Sequence, residues 1–218
     1  MTDTTPDVAS TTLVDLYDTD AGAFLAALRA AAVARSTDQV HPLLTCVLLD
    51  VTPDDGCRLV ATDSYRLAIA TADVAIAPAT ALLPSELVVP LLKAATPTRC
   101  RRAGSGLALR LERVGVDLTA TLTTGDGVAA FTARQYEGTW PAYRSLSGPA
   151  GVGETGEQCV SAFNPAFLAG LADIARALDA PADTVPVRLI GVDALKPSTW
   201  TMSAGGVEVT YLLMPVRV

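Results

Sequence analysis

The chain's one histidine, His41, stands directly before Pro42 and an apolar stretch, which suits a local structural role better than catalysis. Asp63 and Ser64 lie beside Arg66, but no histidine is placed to act as their base, so a conventional hydrolytic triad is not available. Asp54 and Asp55, or the trio Asp15, Asp18 and Asp20, could attract a cation, yet they read as solvated acids of turns. Cys46, Cys57, Cys100 and Cys159 are too scattered for a zinc site or a disulfide framework, so they are expected to be reduced structural thiols. Gly104-Ser-Gly106 and Gly125-Asp-Gly127 lack the lysine and flanks of a phosphate loop. The expectation is a binding protein rather than an enzyme, with no metal and no cofactor.

Two kinds of binding chemistry remain. Arg29, Arg35, Lys93, Arg99, Arg101, Arg102 and Arg176 fall on candidate helices or their ends, densest over 99–102, where they could meet phosphates without reading bases. The same dense patch also reads as a solvated turn, and no series of aromatics accompanies it for stacking on single strands. The second is apolar: the chain closes on Tyr211-Leu-Leu-Met-Pro-Val-Arg-Val218 and carries a dense segment at Ala61-Thr-Asp-Ser-Tyr-Arg-Leu-Ala-Ile69.

The elements that must position these residues are legible from periodicity. Over 218 residues, 50% are hydrophobic and only 18% charged, enough for a substantial core and generous association surfaces. A net charge of -7 argues against a uniformly basic nucleic-acid binder. No basic start leads into an apolar core and no apolar run approaches the roughly 20 residues of a membrane span, so a cytoplasmic protein is expected.

Three successive units share one order. The first reads as a strand at Thr12–Val14, a helix from Asp20 to about Ala34 with Asp20 available to cap it, and strands at Leu43–Asp50, Cys57–Thr62 and Tyr65–Ala70. The second places a helix after Pro84-Ser85 that stops before Pro97, then strands near Leu107–Arg110, Val116–Thr121 and Gly127–Gln135. Gly148–Gly156 reads as a linker. The third has a strand at Cys159–Phe163, a helix capped by Asn164 with Pro165 in its first turn, and strands at Val185–Ile190, Ser198–Met202 and Val207–Met214. The fold class expected is α+β, with repeated β-α-β-β-β modules whose helices pack against antiparallel sheets.

The alanine-threonine-aspartate and arginine-leucine pattern of Ala61–Ile69, and the methionine-proline-hydrophobic-arginine ending at Met214–Arg217, resemble segments of the bacterial sliding clamp, the DNA polymerase III beta subunit family. Trp140-Pro-Ala-Tyr-Arg144 and Ala162-Phe-Asn-Pro-Ala-Phe-Leu168 are similar to clamp segments as well, and all four stand in clamp order. In that family two modules make a domain, and three domains make one subunit of a two-subunit ring. The resemblance therefore implies a complete two-module domain over 10–147, similar to the clamp's middle domain. It also implies a half-domain over 157–218, similar to the second half of the last one. A lone third module leaves sheet edges and an apolar helix face, for which pairing with the same module of another chain offers one remedy and a noncanonical monomer another.

The resemblance also implies a peptide groove. Thr62, Tyr65, Arg66 and Leu67 would line one side, Pro141, Ser145 and Leu146 the seam, and Asn164, Phe167, Leu195, Pro197, Met214, Pro215, Val216 and Arg217 the other. Leucine, methionine and proline make an adaptable apolar socket, while Thr62, Arg66, Asn164 and Arg217 can orient a peptide backbone or carboxylate. The expected ligand is a short extended peptide with bulky apolar anchors, such as the clamp-binding peptides of DNA polymerase or repair proteins. Two functions fit: a shortened processivity or DNA-tethering factor that holds duplex DNA without sequence specificity, or a clamp-derived interaction adaptor, decoy or inhibitor that does not encircle DNA. A homodimer or higher homo-oligomer is expected, with the half-domain module paired with another subunit.

Overall fold

A computed structural model describes residues 10–96, 99–100, 106–146, 162–179, 185–191 and 196–216. The first unit runs β1 (Ser10–Tyr17), α1 (Asp18–Ala32), β2 (Val47–Thr52), β3 (Gly56–Thr62) and β4 (Arg66–Ala72). The second runs β5 (Ala79–Leu83), α2 (Ser85–Ala94), β6 (Ala108–Val114), β7 (Asp117–Thr124) and β8 (Gly127–Arg134). The third contributes α3 (Pro165–Ala177), β9 (Arg188–Gly191), β10 (Ser198–Ala204) and β11 (Val207–Leu213), preceded by a bridge between Ala162 and Val216. This is the α+β arrangement of repeated modules that the periodicity implies.

The units are not stacked side by side. β1 leaves its own unit to pair antiparallel with β6, and β5 crosses the other way to pair with β2. The result is a four-stranded sheet β1-β6-β7-β8 and a seven-stranded sheet β5-β2-β3-β4-β11-β10-β9. Sequence reading misses β5 altogether: Ala79-Thr-Ala-Leu-Leu83 is short and follows Pro78, and what makes it a strand is the open edge of β2. The third unit joins through β11, which lies antiparallel along β4 from Val207↔Ala72 to Leu213↔Arg66.

Why α1 forms and where it packs follow from composition. Alanine favours the helix, and Phe24, Leu25 and Leu28 recur at helical spacing on a face that is wholly buried against β3, β4 and β11. The start differs from expectation. The helix begins at Asp18, and Asp20 does not cap it; the Asp18 amide is met instead by the Leu107 carbonyl at 2.7 Å. Asp18 and Asp20 in the first turn still complement the positive end of the helix dipole. In α3 the expected cap is present: Asn164 Oδ1 accepts from the Ala166 amide at 2.9 Å, with Pro165 at the first helical position where no donor is needed.

The centre of the seven-stranded sheet, around β2, β3 and β4, is buried on both faces. Val47, Leu49, Val51, Leu59, Ala68, Ala70, Val209 and Tyr211 face the helices. On the other face Leu48, Val60, Leu67, Ile69, Leu82 and Leu212 form a second cluster, closed by Tyr143 and flanked by Leu43, Tyr136 and Trp140. This double burial explains the consecutive apolar residues Val47, Leu48 and Leu49 at the start of β2. The expected strand at Leu43–Asp50 therefore divides: Pro42–Thr45 is a 3-10 turn, tied by Thr45 Oγ1 to the Pro42 carbonyl at 2.7 Å, and only Val47 onward is strand. Gly138, at φ +151, lets the covering segment cross so close to Leu43 that a Cβ there would stand 2.6 Å from Leu43 Cδ1. The linker at 148–156 and most of the strand expected at Cys159–Phe163 lie outside the described residues.

Candidate functional site

The β3–β4 hairpin is built by its own side chains. Ser64 takes a left-handed φ of +77, and Asp63 Oδ1 accepts from the amides of Tyr65 and Arg66, both at 3.0 Å. Thr62 Oγ1 donates to the Arg66 carbonyl at 2.8 Å and accepts from the Ser64 amide at 3.1 Å. Thr62 and Asp63 thus fix the turn from which Tyr65 and Arg66 project.

Arg66 is the hinge of the seam. Its Nε pairs with Asp63 Oδ2 at 2.8 Å, and its guanidinium carbon stands 5.1 Å from the centre of the Phe167 ring on α3. Burial pulls its pKa down, but the hydrogen bonds with Asp63 and Tyr211 outweigh burial and hold it firmly charged. Tyr65 stacks on the same ring, with centroids 6.1 Å apart and planes 24° from parallel. Below them the fully buried Tyr211 donates its hydroxyl to the Phe167 carbonyl at 2.9 Å. Burial raises the Tyr211 pKa, so the hydroxyl keeps its proton and its role as donor. Gly170 allows this approach, since a Cβ there would lie 2.9 Å from Tyr211 Oη. Gly170 and Tyr211 were not among the sequence candidates, although they set how close α3 comes to the hairpin.

The tail completes the wall. The Met214 amide donates to the Tyr65 carbonyl at 3.0 Å, and the Val216 amide to the Ala162 carbonyl at 2.7 Å, which holds the tail beside the start of α3 and its cap Asn164. Pro197 is half-buried and precedes Ser198, whose partner is Leu213, so it neighbours Met214. Leu67 turns inward to the outer-face cluster with Tyr143 and Leu212. Pro141 and Ser145 are exposed on the segment that carries Tyr143, and Leu146 ends its 3-10 turn. Tyr65 at 64% and Met214 at 40% are left in solvent on segments joined by the Met214–Tyr65 hydrogen bond, with Val216 exposed at 49% two residues on and Leu146 at 55% on its own turn. Thr62, Tyr65, Arg66, Leu67, Phe167, Asn164, Pro197, Met214, Pro215 and Val216 are therefore brought to one seam, while Leu195 and Arg217 lie outside the described residues.

The covering segment has an anchor that the sequence did not reveal. Tyr143 donates its hydroxyl to Asp50 Oδ2 at 2.6 Å, and Arg144 Nη2 reaches the same oxygen at 2.6 Å while its Nη1 pairs with Asp55. Burial, then the Asp50 carboxylate, pushes the Tyr143 hydroxyl up to about 12. The hydrogen bond from Arg144 holds the Asp55 carboxyl below its ordinary value.

The basic residues have different surroundings. Arg29 Nη2 donates to the Ala95 carbonyl and Arg35 Nη1 to Ser85 Oγ, so both tie α1 to the ends of α2. Burial lowers the pKa of each. Arg99 lies 3.7 Å from Asp126, Arg176 pairs with Asp173 on its own helix, and Lys93 is exposed on α2. Arg101 and Arg102 lie outside the described residues. Among the described residues no three His, Cys, Asp or Glu side chains group as a metal site, and no helix is long and apolar enough to cross a membrane.

Residues 20–141 match the family model of the DNA polymerase III beta subunit, central domain. The chain belongs to the DNA polymerase III beta subunit family. Solved clamps share its fold at low identity. The sliding clamp of Pseudomonas aeruginosa matches with a TM-score of 0.70 and 17% identity over 100% of this chain and 70% of that one. The C. crescentus beta sliding clamp gives 0.64 and 16%, covering 98% of this chain and 67% of that one. A clamp from Bartonella birtlesii bound to griselimycin gives 0.63 and 19%, covering 96% and 67%. No curated protein sequence matches. This member of the beta subunit family thus corresponds to part of a multi-domain clamp.

Proposed function

We propose that this clamp homologue is a protein-interaction module that captures a short extended peptide at the seam between the β3–β4 hairpin, the start of α3 and the chain's tail. The observation that carries it is the Tyr65–Phe167–Arg66 stack beside the exposed Met214 and Val216. Flat aromatic and flexible thioether surfaces accept bulky apolar anchors, and Arg66 offers a fixed cation for a backbone carbonyl or carboxylate. The ligand class is the clamp-binding peptide of DNA polymerase or repair proteins. On this reading residues 10–147 are the two-module domain and 157–218 the half-domain that supplies the far side of the groove. Duplex DNA tethering is less favoured, because Arg29 and Arg35 are engaged in helix-to-helix ties.

Calorimetric titration of the full chain with a clamp-binding peptide tests the groove. Saturable binding is expected, weakened on the order of tenfold by Met214→Ala, which removes a half-exposed anchor contact. Unchanged affinity in both Met214→Ala and Tyr65→Ala would remove the site from this seam. Retention on circular but not linear duplex DNA would restore the tethering reading in place of the adaptor.

A further inference from the structure

The segment from Tyr136 to Leu146 crosses the outer face of the large sheet, and among the described residues positions 137–146 give that sheet no backbone hydrogen bond. Apolar packing covers the face instead: Tyr143 is buried in the cluster with Leu48, Val60 and Leu67, and Trp140 rests against the same cluster. Packing of this kind has no direction, so by itself it leaves the segment free to slide or turn over the face. A carboxylate fixes its place.

Asp50 lies on β2 and is only 8% exposed. Its Oδ2 accepts from two consecutive residues of the segment, the Tyr143 hydroxyl and Arg144 Nη2, both at 2.6 Å. Donors from neighbouring residues that converge on one oxygen set both the position and the rotation of the backbone between them. Asp55 braces the pair from the β2–β3 turn: one of its oxygens takes Arg144 Nη1 and the other takes Arg58 Nη2 at 2.8 Å.

These groups touch no part of the seam, yet the segment they hold leads to it. Tyr143 shares its cluster with Leu67 and Leu212, which stand next to Arg66 on β4 and Leu213 on β11. Pro141 and Leu146 lie exposed on either side of Tyr143. We propose, resting on the peptide groove proposed above, that Asp50 is a positioning residue for peptide binding: by holding Tyr143 and Arg144 it sets where Leu146 stands against an apolar anchor of the peptide.

Both donors are dependable. Burial and then the bond to Asp50 push the Tyr143 hydroxyl up to about 12, so it keeps its proton, and the bonds to Asp50 and Asp55 hold Arg144 charged. An amide at position 50 would keep the shape and one acceptor oxygen but lose the charge that holds Arg144. Because the Arg144 side chain is 46% exposed, water replaces that tie at little cost to folding. What changes is the place of the segment.

Calorimetric titration of the full chain with a clamp-binding peptide tests this. Asp50→Asn is expected to weaken binding on the order of fivefold, and Tyr143→Phe, which keeps the ring and removes only the hydroxyl, on the order of threefold. Far-UV circular dichroism checks that each is folded, and Tyr143→Phe carries the test if Asp50→Asn is not. A double-mutant cycle then decides the role: in a Leu146→Ala background Asp50→Asn should cost no further affinity, because the side chain it positions is gone, whereas in Met214→Ala it keeps its full effect. A purely structural role would weaken binding by the same factor in both backgrounds. Equal losses in the two overturn the proposal and leave the groove standing. So does native affinity in both Asp50→Asn and Tyr143→Phe while Met214→Ala still weakens binding. A native chain that shows no saturable binding removes the groove, and the role of Asp50 with it.

Discussion

The two joints within this chain are made differently. The first two units exchange strands, β1 for β5, so neither can leave without taking apart the other's sheet. The third unit exchanges nothing in the described residues; it is held by the β4–β11 ladder, by α1 against α3, and by the Tyr211–Phe167–Gly170 contact. An exchanged joint opens only with global unfolding, whereas a docked one can open locally. The proposed peptide groove lies on the docked joint, where small adjustments are least costly.

The strongest way to break this contrast is to weaken the exchanged joint. Leu118 is fully buried in the core cluster to which both units contribute, and Leu118→Ala should cost about 2–5 kcal/mol in denaturant unfolding, with both units lost in one transition. Separate transitions for the two would show that exchange does not couple them.

Alkaline pH should weaken the exchanged joint. Burial pushes the thiols of Cys46 and Cys57, both in the exchanged pair of units, up to about 12 from an ordinary value near 9. Their folded pKa values are raised, so the unfolded chain binds fewer protons above pH 9; their contribution is complete below that and lost progressively towards pH 12. Melting temperature should therefore fall as pH rises past 9, and Cys57→Ala should flatten the fall.

The docked joint has its own, smaller test. Gly170→Ala drives a Cβ into the Tyr211 hydroxyl and should cost roughly 1–3 kcal/mol. Hydrogen exchange should show faster amides across α3 and β11 with those of β6 and β7 unchanged. Asn164→Ala removes the α3 cap for about 1 kcal/mol, read as fraying of its first turn by the same measurement.

Much of the fold was legible because it rests on local rules. The 3.6-residue spacing of Phe24, Leu25 and Leu28 and the Asn164-Pro165 cap each announce their element. Leu43–Leu44 misled, because a doubly buried strand and a 3-10 turn beneath a crossing segment have the same apolar composition. The seam was legible on both sides from Thr62–Leu67 and Phe167 with Met214, yet Gly170 and Tyr211 were not, since nothing local marks a helix glycine as a point of contact. The roles of Arg29 and Arg35 were equally hidden: an arginine's length lets it reach solvent or a carbonyl across a helix interface, and only the packing selects.

By itself the sequence determined the modules and their order, because periodicity, caps and turn chemistry are properties of neighbouring residues. Tertiary structure alone decided that β1 and β5 trade places, that the third unit attaches through β11, and that two arginines serve the interior. Those outcomes depend on which edge meets which at long sequence separation, where backbone hydrogen bonds carry no residue identity and shape and burial make the choice.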